Sequence, residues 1–263
     1  MLLRPWPLLL VWLGLCQAVA AHELRVCMTD VPHRPWRIPD ADGRVREQGM
    51  DFWLLREFGR RSGWTIELRR SSTRRCLQDL VDGHSDAVLG FSYLPERASL
   101  VRYPMKEGRP DESLALRLDT YSWYLPKAAK PQWQGPRLVL PERAVVAVQA
   151  GHSIVHVLAA QGYRVDDSAR TAALALGKVV GGQAAAAALP TTAADSELAL
   201  DKRVALQLQR LDAPAAVRAY YLVFSHHFAG RHEPELPGLW RLAHELTHGL
   251  AYQKALHEAM HKP

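Results

Sequence analysis

The segment DAVLGFSYLPER, residues 86–97, decides the fold class. Asp86 to Phe91 form a compact apolar run, which is typical of a buried parallel strand. Ser92 falls just past the end of this predicted strand. The segment therefore predicts an α/β protein in which polar side chains follow the carboxyl ends of the strands.

The residues before this segment alternate between strand and helix patterns. Strands are predicted at residues 24–28 and 66–68, and helices at residues 50–58 and 76–81. This β-α-β-α-β order predicts a parallel sheet with right-handed crossover connections.

A second set of elements follows a less regular stretch, which runs through the aromatic residues 121–124, and a proline-rich linker or loop at 126–136. The set comprises a strand at 145–148, a helix at 151–160, a strand from 162, a helix at 172–180, an alternating segment at 204–208, a strand at 219–224 and a long final helix at 236–260. Residues 184–188 stay ambiguous, because polyalanine favours a helix whereas their place in the order requires a strand. The two sets predict two α/β lobes with a cleft between them.

The composition is that of a globular protein. The chain has 263 residues, of which 48% are hydrophobic and 23% are charged, and this excludes an intrinsically disordered, collagen-like or multi-span membrane protein. The formal net charge is +6, but no long basic run indicates a nucleic-acid partner.

The first twenty residues have the pattern of a secretory signal peptide. Arg4 is followed by an apolar segment at 8–15 that is too short to span a bilayer, and then by a small-x-small cleavage pattern at 18–20. We expect a cleaved, periplasmic protein; an uncleaved N-terminal anchor is the alternative. In that oxidising compartment Cys27 and Cys76 are either disulfide-bonded or two buried thiols.

The chain resembles the family 3 bacterial periplasmic solute-binding proteins. The resemblance is carried by LRVCMTD (24–30), GMDFWLL (49–55), DAVLGFSYLPER (86–97) with YP (103–104), VAVQAG (146–151) and YYLVFS (220–225). It implies a type II two-lobe fold whose two crossover segments form a hinge. It also implies that the protein captures an amino-acid-like, carboxylate-bearing solute for an ABC-type transporter or a sensor, as a monomer, without a cofactor and without catalysis.

The resemblance implies that Arg97 and Ser92 bind the solute's carboxylate. A guanidinium can hold a carboxylate by two parallel hydrogen bonds, and the serine adds a hydroxyl donor. Alternatively, Arg97 is a surface residue paired with Glu96 or Asp86, and Ser92 is a simple turn residue.

Four further residues complete the implied site. Asp30 and Trp36 match positions that contact the solute's side chain, although Trp36 could equally be an ordinary buried aromatic residue. His152 and Ser153 lie where a helix N-terminus offers N–H groups to an anion, or they merely cap that helix.

Two departures from the family pattern argue against a standard α-amino acid. Residues 71–75 lack the aromatic residue that often covers the ligand, and residues 188–191 lack the acid that receives its ammonium group. Burying that cation without a partner would cost several kcal/mol.

Two enzyme classes remain as alternatives. His244, Glu245 and His248 form an HExxH string on a predicted helix, as in zinc metallopeptidases, but no third ligand with suitable spacing follows. We expect this helix to pack its leucines on lobe 1 and to leave the histidines outside, with no metal bound. A lyase on the same fold would need acid/base residues in the cleft, for which Asp30, His33 and His152 are candidates.

The predicted organisation has four parts. They are a signal peptide at 1–20, the first part of lobe 1 at 21–118, lobe 2 with the hinge segments at 119–220, and a return strand and C-terminal helix packing on lobe 1 at 221–263.

Overall fold

The structure, a computed structural model, describes residues 22–40 and 42–261. The strands are β1 (Glu23–Thr29), β2 (Thr65–Ser71), β3 (Ala87–Ser92), β4 (Val101–Arg102), β5 (Met105–Lys106), β6 (Arg109–Pro110), β7 (Arg117–Pro126), β8 (Gln132–Gln134), β9 (Arg137–Val139), β10 (Val145–Gln149), β11 (Arg164–Ala169), β12 (Ala186–Pro190) and β13 (Leu208–Ser225). The α-helices are α1 (Met50–Ser62), α2 (Thr73–Val81), α3 (Pro95–Ala98), α4 (Ile154–Ala160), α5 (Ala172–Val180), α6 (Thr191–Leu200), α7 (Lys202–Ala205), α8 (His226–Arg231), α9 (Leu236–His248) and α10 (Leu250–His261). The signal peptide predicted for residues 1–20 lies outside the described residues.

Nine of the described strands form one mixed sheet in the order β11-β10-β12-β7-β13-β3-β1-β2, with β4 paired to β13. At one end β1 pairs in parallel with β2 and β3, and at the other end β10 pairs in parallel with β11 and β12. The long antiparallel strands β7 and β13 join these two halves. The predicted fold is confirmed: lobe 1 is built around β1–β3, lobe 2 around β10–β12, and β7 and β13 are the crossovers.

The central strand β7 is the main feature that the sequence pattern did not reveal. Residues 121–124 were expected to be less regular, yet they pair with β12 on one side and β13 on the other. Their side chains are buried on both faces of the strand, so that no apolar–polar alternation appears. Residues 126–136 were expected to be a linker or loop, and they contain β8, which pairs with β9.

Two other elements differ from the sequence prediction, and a third settles the conformation that the sequence left ambiguous. Residues 202–205 form α7, so β13 begins only at Leu208 and the predicted alternation at 204–208 is wrong. Residues 186–190 are the strand β12. The predicted final helix is two helices, because Gly249 adopts an extended conformation between them, and this leaves the Leu250 side chain 91% exposed instead of packed on lobe 1.

A disulfide bond between Cys27 of β1 and Cys76 of α2 fixes α2 against the sheet of lobe 1. Both residues are fully buried. Ser72 caps α2 by accepting a hydrogen bond from the Arg75 amide. These two constraints place the first residue of the helix, Thr73, at the edge of the cleft.

The outer side of lobe 1 is covered by α1 and α9, which share one apolar core with β1 and β3. Lobe 2 has its own apolar cores on the two faces of its half of the sheet. No helix within the described ranges is long and apolar enough to cross a membrane.

Candidate functional site

The two lobes meet at two serine side chains. Ser92 is the last residue of β3 in lobe 1, and Ser153 precedes α4 in lobe 2. The Ser92 hydroxyl donates to Ser153 Oγ at 2.7 Å, and both residues are buried. Ser153 occupies the N-cap position of α4, but its side chain does not cap the helix. Its hydroxyl therefore serves the contact between the lobes.

Arg97 of α3 makes a second contact across the cleft. Its guanidinium donates to the carbonyl oxygen of Ser92 at 3.2 Å and to that of Gly151, in lobe 2, at 3.1 Å. The guanidinium carbon lies 5.1 Å from the centre of the Phe91 ring. Among the ion pairs of the described residues none includes Arg97, and Asp86 pairs instead with arginines elsewhere. Arg97 is thus a cation in the cleft whose partners are carbonyl groups.

Gly151 allows the lobes to approach closely. Its φ of 78° is in the left-handed region that favours glycine. A Cβ atom at this position would lie 3.1 Å from the Thr73 side chain of lobe 1. A side chain at residue 151 would therefore push against lobe 1 as the cleft closes.

His33, in the loop after β1, is a buried and incompletely paired imidazole. The residue is 4% exposed, its Nδ1 lies 3.4 Å from an Arg37 nitrogen, and its Nε2 has no hydrogen-bond partner among the described residues. Burial, followed by the nearby charges of Arg37, His152 and Arg117, lowers the pKa of His33 well below its usual value. His33 is therefore neutral at physiological pH.

His152 approaches His33 from lobe 2, and the two ring centres lie 6.0 Å apart. His152 Nδ1 lies 2.7 Å from the Tyr121 hydroxyl, which lies 2.5 Å from the Tyr220 hydroxyl. Burial and the charges of three arginines lower the pKa of His152 to about 3, whereas burial raises the pKa of Tyr220 to about 12. Both histidines are neutral, and both tyrosines keep their protons.

Beneath these residues lies a charge-balanced network. Arg37 donates to Asp51 at 2.5 Å, and Arg117 donates to both carboxylate oxygens of Asp119 at 3.1 Å. Arg117 also lies 3.7 Å from Asp51 and packs over the Trp36 ring at 4.5 Å. Each buried charge therefore has an opposite charge beside it, which is what a buried ion requires.

Between the lobes, the described residues enclose two cavities. The smaller, of about 40 Å³, has a lining that includes residues of both lobes, namely Thr29, His33, Arg37, Thr73, Leu89, Gly90, Phe91, Ser92, Arg97, Arg117, Gly151, His152 and Tyr220. The larger, of about 490 Å³, shares Arg117 with it and is also lined by Trp36, Pro190 and Thr191. The Ser92–Ser153 and Arg97–Gly151 hydrogen bonds join the lobes beside the smaller cavity, so a solute larger than about 40 Å³ can occupy it only when the lobes move apart.

The structure brings together four of the six residues implied by the resemblance. Ser92, Arg97 and His152 line the smaller cavity, and Ser153 is hydrogen-bonded to Ser92 beside it. Trp36 is buried beneath Arg117 and lines the larger cavity instead. The remaining one, Asp30, is exposed, and among the described residues it lines neither cavity.

Four residues of the cleft were absent from the sequence prediction: Arg37, Arg117, Tyr121 and Tyr220. Arg117 and Tyr121 stand at alternate positions of β7 and so project from the same face as Asp119. That spacing was visible in the sequence, but it carries meaning only once residues 117–126 are known to be a strand. Arg37 follows His33 by four residues and gave no comparable signal.

The acid that would bind an ammonium group is not supplied by neighbouring residues of lobe 2. Pro190 and Thr191 occupy the place where the resemblance requires it. Asp195, one helical turn later, accepts a hydrogen bond from the Tyr124 hydroxyl at 2.8 Å and forms an ion pair with Arg210. This carboxylate is already paired.

The HExxH string lies on α9, away from the cleft. His244 Nδ1 lies 2.8 Å from the Ala115 carbonyl oxygen, and the His248 ring stacks on the His244 ring with the ring centres 3.9 Å apart. Glu245 faces Arg61 at 3.8 Å. His244 is half-buried rather than outside, because α9 packs it against the segment before β7. No group of three or more potential metal ligands occurs among the described residues.

No family model and no curated protein matches the chain. Solved structures resemble it over most of its length. A histidine kinase sensor domain with similarity to periplasmic binding proteins has a TM-score of 0.66 at 18% identity, covering 90% of this chain and 94% of its own. An ancestral arginine-binding protein bound to arginine has a TM-score of 0.68 at 15% identity, with coverages of 91% and 98%.

A third similar structure is the ancestral amino acid-binding protein AncCDT-1, a precursor of cyclohexadienyl dehydratase. Its TM-score is 0.65 at 19% identity, with coverages of 91% and 96%. Identities this low establish a shared fold and leave the ligand open. The chain therefore has the two-lobe fold of the periplasmic binding proteins.

Proposed function

We propose that this protein is a periplasmic solute-binding protein that captures a small carboxylate-bearing solute between its lobes. It then presents the solute to an ABC-type transporter or to a sensor. The fold supports this proposal, since similar structures include an arginine-binding protein and a sensor domain.

The observation that carries the proposal is the environment of Arg97. Its guanidinium faces the cleft, and its hydrogen bonds go to carbonyl oxygens of both lobes. A carboxylate is a stronger partner for a guanidinium than a neutral carbonyl, because both groups are charged and two parallel hydrogen bonds can form. A carboxylate solute can therefore replace the carbonyl partners of Arg97.

The second feature in favour of binding is the hinge. β7 and β13 are the two crossovers, and beside the smaller cavity the lobes are joined by the Ser92–Ser153 hydroxyl contact and the bond from Arg97 to the Gly151 carbonyl. Such contacts are individually modest, about 1 kcal/mol each. Thermal motion can therefore separate the lobes, and a bound solute can bring them together again.

A lyase on this fold is less well supported. His33 and His152 face each other in the cleft, but Asp30, the acid of that hypothesis, is exposed and lies outside the cavity lining. The acids deeper in the cleft, Asp51 and Asp119, are bound to arginines.

Thermal-shift and calorimetric screening of carboxylates with the mature protein tests the proposal. We expect a carboxylate that raises the unfolding temperature of the wild-type protein and no longer does so with Arg97→Ala. Arg60→Ala, which removes an exposed arginine on the outer helix α1, is the matched control and should bind as the wild type does. Equal affinity of a folded Arg97→Ala variant would contradict the proposal.

A further inference from the structure

We infer that the solute is a carboxylate without an amino group, and that His33 donates a hydrogen bond to a second oxygen atom of that solute. This inference rests on the proposed function. It identifies the substrate class as short dicarboxylates and related acids that carry a second oxygen acceptor.

The charges around the smaller cavity restrict which solute it can hold. The lining of the smaller cavity contains three arginines and two histidines, and among the described lining residues there is no acid. Asp51 and Asp119 lie nearby, but both are bound to Arg37 or Arg117. Of the arginines that line the smaller cavity, only Arg97 has no carboxylate partner among the described residues. An ammonium group there would lie near Arg97 without a carboxylate of its own, so this cavity disfavours zwitterions.

The contact between His33 and Arg37 determines which ring nitrogen of His33 carries the proton. An arginine side chain has only N–H donors, so in its contact with Arg37 the His33 Nδ1 must be the acceptor. The neutral imidazole then carries its proton on Nε2, the atom that lacks a partner. His33 thus has an N–H donor without a partner. The residue is only 4% exposed, and it lines the smaller cavity.

The N–H group of His33 can bind an oxygen atom of the solute. A buried donor without an acceptor is unfavourable, so a solute that supplies an oxygen atom gains the hydrogen bond and removes this cost. Arg97 already accounts for one carboxylate. His33 stands on the loop after β1 and Arg97 on α3, so the two donors approach the solute from different elements of lobe 1. A solute with oxygen atoms at two positions satisfies both.

Three probes separate these requirements. Succinate has two carboxylates, L-aspartate is succinate with an added ammonium group, and butyrate has one carboxylate on a chain of the same length. We expect succinate to bind at least about tenfold more tightly than either of the others, as measured by calorimetry at fixed salt and pH 7.5. Glutarate and L-glutamate form a second matched pair with a longer chain.

The variant His33→Phe tests the residue itself. It keeps a planar ring but removes the donor, so the affinity for succinate should fall by about tenfold toward that for butyrate, while butyrate binding stays unchanged. His33→Gln, which retains an N–H donor, should recover part of the succinate affinity. Circular dichroism and the unfolding temperature without solute show that the variants are folded.

The outcomes distinguish this inference from the proposed function. If succinate and L-aspartate bind equally, or if His33→Phe weakens succinate and butyrate alike, the inference is overturned while the binding function stands. If no carboxylate of the screen binds the wild-type protein, the proposed function fails and the inference fails with it.

Discussion

The hydroxyl groups of Ser92 and Ser153 belong to different lobes and lie 2.7 Å apart, shielded from solvent. The protein therefore closes on itself through its own side chains, and a solute must compete with these contacts. The free energy of binding a solute is thus the difference between the free energy of the contacts that the solute makes and that of the contacts that it replaces.

The first prediction follows from this hydrogen bond. Ser153→Ala leaves the buried Ser92 hydroxyl without its acceptor in the closed form, which should cost roughly 1–3 kcal/mol and shift the population toward open molecules. Small-angle X-ray scattering of the solute-free protein should show a larger radius of gyration. Ser99→Ala, which removes an exposed hydroxyl of lobe 1, should leave it unchanged. An unaltered radius for Ser153→Ala would show that the contact does not hold the lobes together.

A second prediction concerns Gly151 and uses Gly182 as its control. Both glycines have a left-handed conformation, but only at Gly151 would a Cβ atom meet the other lobe, at Thr73. Alanine at either position should destabilise the protein by about 1–2 kcal/mol. Solute affinity should fall for Gly151→Ala and not for Gly182→Ala. If calorimetry finds the same loss of solute affinity for both variants, the loss is due to backbone strain and not to the contact with Thr73.

The third prediction is that the stability of the folded, closed protein depends on pH. The closed cleft lowers the pKa of His33, and lowers that of His152 to about 3, from a usual value near 6.5. Burial is the main cause for both, and the charges of Arg37 and Arg117 add to it. Both imidazoles bind protons more readily once released, so the closed form should be most stable above pH 6.5. Below that pH the free energy of unfolding of the closed form should fall by up to about 1.4 kcal/mol per pH unit for each histidine.

Thermal unfolding between pH 5 and pH 7.5 measures this dependence. The double variant His33→Phe/His152→Asn should have a smaller slope over that range than the wild type. Parallel curves for the two proteins would show that other groups are responsible.

The fourth prediction concerns the bond between Cys27 and Cys76. A protein that begins at residue 21, denatured without reduction, should contain no titratable thiol. Reduction should lower the free energy of unfolding by roughly 2–4 kcal/mol, because the bond restricts the unfolded chain, and a reductant should have no effect on Cys27→Ala/Cys76→Ala. Two reactive thiols before reduction would contradict the bond.

The sequence predicted the elements whose patterns are local. The apolar run at 86–91 and the helical spacing after Gly49 each reflect the burial of side chains within a single element. Both elements are present, as β3 and α1. Cys27 and Cys76 showed no local preference for pairing, because their separation depends on how α2 lies on the sheet.

The cleft was predictable only in part. Ser92 and residues 151–153 follow strands that end at the same edge, so their proximity follows from the fold class. Arg117 and Tyr220 belong to the crossover strands, and these join residues far apart in the chain. Their meeting depends on the register between β7 and β13, which no local pattern encodes.

The course of β13 also has a consequence for how the chain folds. Residues 220–224 of β13 pair with β3, whereas its first part pairs with β7. During synthesis, β3 therefore has an unpaired edge until the residues after 220 become available, although all strands of lobe 2 before β13 have already been made. Lobe 2 is an insertion within lobe 1, and a chain truncated before β13 would lack the strand that completes the sheet of its first lobe.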